Sequence, residues 1–157
     1  MQNISETCDL IKNVTELLDE YESITRCLLE CNIDDITLYV EKRQHIVEKI
    51  DVVTKRIYEN IRDDQLAMDA FRNTCSISEL PDELKEVFEL RQQMNVHLWH
   101  IQEIEIQVTD RIRLEKENLL KKIKSNNSGQ NAKAAKYVNG GLNTGQNVFF
   151  PENKKLI

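Results

Sequence analysis

Glycine is absent from the first 124 residues, and proline occurs there once, at Pro81. All four glycines and the second proline, Pro151, fall in residues 125–157. No glycine-rich phosphate loop is therefore available before Gly129, and the later NGG and NTG lack the lysine and the helix such a loop needs. Aromatic residues make up 6% and mean hydropathy is −0.52, too little large apolar material for a spherical core. Long helices need less, because each buries only a stripe. No apolar run approaches the roughly 18 residues of a membrane-spanning helix. The opening MQNISETCDL lacks a basic segment followed by an apolar one, so the expected location is cytoplasmic. In that setting Cys8, Cys27, Cys31 and Cys75 are reduced thiols. Cys27 and Cys31 lie four apart without a CxxC pair or a nearby histidine, which reads as small apolar residues rather than a zinc site.

What is present divides the chain. Before residue 121 there are 14 Lys+Arg against 26 Asp+Glu; from residue 121 on, seven lysines face one glutamate, and the whole carries −6. An acidic helical body at 1–124 with a basic tail at 125–157 points to binding a partner. The acidic balance argues against nucleic acid as that partner.

Heptad spacing sets the body. Leu10, Leu17, Ile24 and Cys31 repeat every seven residues, with Val14, Tyr21 and Leu28 between them and Ile11 and Leu18 beside them. This predicts a first helix over about 5–31, capped by Ser5. The break is NIDDI at 32–36, with Asn32 suited to a left-handed stop and Asp34 to a cap. So short a connection makes the second helix, about 35–61, an antiparallel neighbour of the first. Its stripe runs from Ile36 through Tyr39, Val40, Ile46, Val47, Ile50, Val53 and Ile57 to Ile61. Residues 63–81 carry a helix-compatible LAMDAF at 66–71, which either extends the second helix or forms a separate turn, then a loop from Thr74 to Pro81 with Ser78 and Pro81 as helix-start signals. A third long helix, 82–124, presents Leu84, Val87, Leu90, Met94, Leu98, Ile101, Ile104, Val108, Ile112, Leu119 and Ile123. It is too long for the first helix to cover, so its far end is expected to project. The expected fold is all-α, an antiparallel bundle of three long helices with a flexible C-terminal tail. Leu17, Ile24, Leu28, Ile46, Ile50, Val53, Leu98 and Ile101 are the expected core.

Catalytic and metal patterns are not met. His97 and His100 share a face with Glu103 behind them, but the Glu-x-x-His pair of a di-iron bundle and the i, i+4 histidines of a zinc protease are both missing. No serine or cysteine sits in a nucleophile elbow. The expectation is a non-enzyme without cofactor or metal. Two charges interrupt the stripes: Arg43 between Ile36 and Ile50, and Glu105 between Leu98 and Ile112. Either each reaches solvent, or the two meet across the second and third helices and fix their register. The tail spaces Tyr137, Val138, Leu142, Val148, Phe149 and Phe150 along polar residues, a pattern of anchors for a groove on a partner or on the body itself.

Three segments suggest a family. TLYVEKRQHIVEKI at 37–50, LLDEYESITRCLLECNIDDI at 17–36 and LWHIQEIEIQV at 98–108 resemble flagellar export chaperones of the FlgN and FliT kind, and VFFPENKK at 148–155 is similar to the ends of FlgN-like proteins. The resemblance implies a cytoplasmic helical bundle that holds the C-terminal segment of a hook-associated or filament-cap protein before type III secretion. Transferred to this chain, the binding surface is the far end of the third long helix, with Val108, Ile112, Leu119, Leu120 and Ile123, together with the six tail anchors. The NGGLNTG spacer departs from a continuous C-terminal amphipathic helix. A protein client, no nucleic acid, no membrane insertion and a possible homo-oligomer are the expected partners. The alternatives are a structural coiled-coil subunit of another cytoplasmic assembly, and an adaptor whose basic tail meets an anionic surface.

Overall fold

The computed structural model describes residues 3–126. The described residues are all-α, and four α-helices rather than three make up this part: α1 (Ile4–Glu30), α2 (Ile36–Ile61), α3 (Gln65–Arg72) and α4 (Asp82–Asn126). Single 3-10 turns at Ile33–Asp35 and Ile77–Glu79 lead into α2 and α4. The expected tail lies outside the described residues from position 127 on.

The helix ends differ from expectation in instructive ways. Asn3, not Ser5, caps α1: its side chain accepts the Glu6 backbone N–H at 3.0 Å. Asparagine caps as well as serine, and Ser5 already lies inside the first turn. Asn32 is extended (φ −64°, ψ 150°), and so is Cys31 before it, so α1 ends without a left-handed residue. Asp35 occupies the N-cap of α2 without a side-chain capping bond, and Asp34 sits inside the 3-10 turn. The left-handed stop occurs elsewhere, at Asn73 (φ 54°, ψ 37°) after α3, where asparagine tolerates it. Asp64 caps α3 by accepting from the Ala67 N–H at 3.1 Å. Pro81 needs no donor of its own, and its carbonyl receives the Leu84 N–H at 2.9 Å to begin α4.

Cross-links fix the directions. Lys12 faces Glu86, Asp19 meets His97, and Arg111 reaches Leu28, so residue numbers rise together along α1 and α4. Arg56 meets Glu6 while Arg43 meets Tyr21, so α2 runs against α1. The second helix therefore runs antiparallel to both other long helices, and α1 packs closely along α2 and along α4. Short α3 packs mainly on α4, with the Phe71 ring edge-on to Tyr58 of α2 at 5.4 Å.

The core follows three seams of alternating three-and-four spacing. On α1 it is Thr7, Ile11, Val14, Leu18, Tyr21, Thr25 and Leu28; on α4 it is Leu84, Val87, Arg91, Met94, Leu98, Ile101, Glu105, Val108 and Ile112. On α2, Arg43, Val47, Ile50, Thr54, Ile57 and Ile61 line the same kind of seam, with Ile36 and Ile46 also buried. Leu28, Ile46, Ile50, Leu98 and Ile101 are core residues as expected. Leu17, Ile24 and Val53 are not: they are partly buried and flank the main cluster. The seam of α1 is turned by one residue because threonines occupy it. Thr25 returns its hydroxyl to the Tyr21 carbonyl at 2.7 Å, and Thr7 to the Asn3 carbonyl at 3.2 Å, so each presents mainly its methyl group to the core.

Candidate functional site

Three elements place polar groups inside the bundle at one level. Tyr21 (α1), Arg43 (α2) and Glu105 (α4) are all buried. The Arg43 Nε donates to the Tyr21 hydroxyl at 3.0 Å, and that hydroxyl donates to Glu105 Oε1 at 2.9 Å. Arg43 Nη2 also bonds Glu105 directly. The guanidinium lies 4.9 Å from the centre of the Tyr21 ring. Burial, aided by the Glu105 charge and opposed by Arg43, holds the Tyr21 hydroxyl well above the ordinary phenol range. The phenol therefore stays protonated and bridges the ion pair. The two charges picked out in the sequence do meet; the tyrosine between them was read only as part of an apolar stripe.

A second cation was missed entirely. Arg111 on α4 donates to the backbone carbonyls of Leu28 and Cys31 and lies 3.7 Å from the Cys31 sulfur. The last turn of α1 has no basic residue of its own. Arg111 thus satisfies orphan carbonyls at that helix end and places positive charge at its negative pole.

The partner-binding residues proposed from the sequence separate into three groups. Val108 and Ile112 are 1% and 5% exposed, packed with Leu28, Ile36 and Ile104, and so form core instead of a free surface. In the closed bundle the end of α1 and the start of α2 cover that part of α4. Leu119, Leu120 and Ile123 are intermediate in exposure, beyond Ile112, which is the last buried residue of α4. Leu114 on the same stretch is 56% exposed. Tyr137, Val138, Leu142, Val148, Phe149 and Phe150 lie outside the described residues.

The histidines part company. His97 turns to α1, its Nδ1 2.9 Å from Asp19 Oδ1, whereas His100 lines a depression of about 660 Å³ with Asn73, Gln92, Asn95, Val96, Trp99 and Glu103. That hollow exists because α3 covers the neighbouring face of α4 only as far as Asn73. The Asn73 side chain donates to the Phe88 carbonyl at 3.2 Å and accepts from Asn95, which in turn accepts from Arg91 at 2.9 Å. Arg91 is buried over the Phe71 ring, and burial, partly offset by Tyr58, brings its pKa down to about 10. Trp99 is 72% exposed at the rim. Among the described residues no group of three His, Cys, Asp or Glu side chains is placed to hold a metal ion, and no helix is long and apolar enough to cross a membrane.

No protein-family model, curated protein or solved structure matches the chain.

Proposed function

We propose that this chain is a flagellar type III export chaperone, a cytoplasmic binding protein that holds the C-terminal segment of a hook-associated or filament-cap protein before secretion. One observation carries the reading beyond the resemblance of its segments. Helix α4 continues to Asn126, 14 residues past its last buried residue, and carries Leu114, Leu119 and Leu120 on that stretch. At 1.5 Å per residue this is about 20 Å of helix beyond the last core layer. Apolar side chains on such an extension gain from an amphipathic partner helix laid along them.

The seam on α4, unbroken in its spacing from Leu84 to Ile112, also favours a second reading: a coiled-coil subunit whose extension pairs with another such helix in a larger assembly. Capture experiments separate the two. The full chain and a chain ending at Asn126 are used as bait in the native cytoplasm. Enrichment of a hook-associated or filament-cap protein, weakened by the truncation, supports the chaperone. Enrichment of a stoichiometric structural assembly with no export substrate contradicts it.

A further inference from the structure

The core is divided. Twenty buried residues, from Cys8 to Ile101, form one cluster, and a separate cluster holds five, Leu28, Ile36, Ile104, Val108 and Ile112, with Leu29, Cys31, Tyr39 and Val40 partly buried against it. The division falls at the polar level of Thr25, Arg43 and Glu105, where the hydroxyl of Tyr21 also enters. Going along α1, the order is Tyr21 in the large cluster, then Thr25, then Leu28 in the small one; along α2 it is Ile46, Arg43, Ile36. We infer that the α1–α2 tip, from Leu28 through Ile36 to Val40, opens from α4 as a unit while the large cluster stays folded, uncovering Ile104, Val108 and Ile112.

The physical grounds are local. The more contacts an opening breaks, the rarer it is, and this one breaks a cluster of five buried residues, the partial packing of Leu29, Cys31, Tyr39 and Val40 on it, and the bonds of one arginine, against twenty buried residues in the large cluster. Within the tip, the 3-10 turn Ile33–Asp35 contributes no buried residue, and Ile33 is 42% exposed. The side-chain hydrogen bonds that cross from the tip to α4 come from Arg111, to the carbonyls of Leu28 and Cys31. Below the tip, the layer of Tyr21, Arg43 and Glu105 keeps its own hydrogen bonds, so it forms a floor at which opening stops. The uncovered face of α4 would be continuous with the stretch that already lies beyond the core. Ile104, Val108 and Ile112 would then join Leu119 on one helix, at spacings of four, four and seven. The opening needs no client and stands or falls apart from the chaperone reading.

Hydrogen exchange on the full chain tests it, followed at increasing, still native, urea concentrations. Amides of Leu28–Cys31 and Val40 are expected to exchange at least about tenfold faster than those of Ile50–Ile57 and Met94–Ile101, with a shallower urea dependence. Arg111→Ala should speed the first set by about tenfold and leave the second unchanged. Equal rates and equal urea dependence at both ends, or an Arg111→Ala effect spread evenly over the chain, would overturn the inference.

Discussion

Arg43 on α2 and Glu105 on α4 form a buried ion pair, their side chains 9% and 8% exposed, and the hydroxyl of Tyr21 on α1 joins them. Each long helix thus contributes one group to a single polar level. A one-turn slip of α2 or α4 would bury a charge without its partner, and a slip of α1 would remove the hydroxyl that bridges the pair; these penalties select one register.

Removing one member should therefore cost more than removing both charges. Arg43→Met leaves a buried carboxylate without its cation, and Glu105→Leu leaves a buried guanidinium; each is expected to lower stability by about 3–5 kcal/mol. The double variant should lose distinctly less than the sum of the two. Urea unfolding of the four proteins measures the coupling. Strict additivity would show that the pair does not act as a pair.

The placement of the α1 seam is open to a direct comparison. Leu18 is 0% exposed and Leu17 only partly buried, although they are adjacent. Leu18→Ala should cost about 2–5 kcal/mol, as truncation in a packed core does, and Leu17→Ala less than half as much. Equal losses would mean that the helix is turned as the sequence pattern alone suggests.

That difference marks how far the sequence could be read. Three long helices were legible because their apolar spacing persists over many turns and nothing punctuates them. The rotation of α1 was not, since Thr7 and Thr25 count as polar until their hydroxyls are seen bonded to the preceding turn. Short α3 was ambiguous because eight residues hold little periodicity, and its packing against α4 is decided by Phe71 and the left-handed Asn73. Arg43 and Glu105 stood out as charges inside stripes. Arg111 did not, because an arginine that caps a helix 80 residues earlier in the chain leaves no local pattern. The hollow beside Trp99 arises from where α3 stops, which no spacing on α4 encodes.

Alkaline pH should destabilise the fold in two steps. Burial, followed by the nearby Glu86 charge, raises the Cys8 thiol above its usual 9.0, and burial raises Tyr21 above 10.0. Both groups hold their protons more tightly folded than unfolded. Their contribution is whole below the unfolded values and is lost as pH rises from there towards the folded ones. Arg91, brought by burial down to about 10 from the ordinary guanidinium range, acts in the opposite sense, and only above pH 10. Stability measured from about pH 8 to 10 should fall, and Cys8→Ala should flatten the part of that fall beginning near the unfolded thiol value of 9.0. A wild-type profile that is level over this range would contradict the assignment.

Trp99, the single tryptophan, reports on its own surroundings. At 72% exposed it should emit like tryptophan in water and be readily quenched by a soluble quencher. Trp99→Ala should change stability by no more than about half a kcal/mol, as is usual for surface positions. A blue-shifted, protected emission in the isolated protein would show that the hollow beside α3 is already covered.

The most direct test of the chaperone reading is a calorimetric titration with the C-terminal segment of a hook-associated or filament-cap protein from the same genome. Full-length protein is compared with a Leu119→Glu, Leu120→Glu double variant whose helical circular dichroism matches wild type. The account predicts saturable binding by the wild-type chain, accompanied by a negative heat-capacity change from apolar burial, and its loss in the variant. No binding to any such segment, or the same affinity with both charges in place, would contradict it.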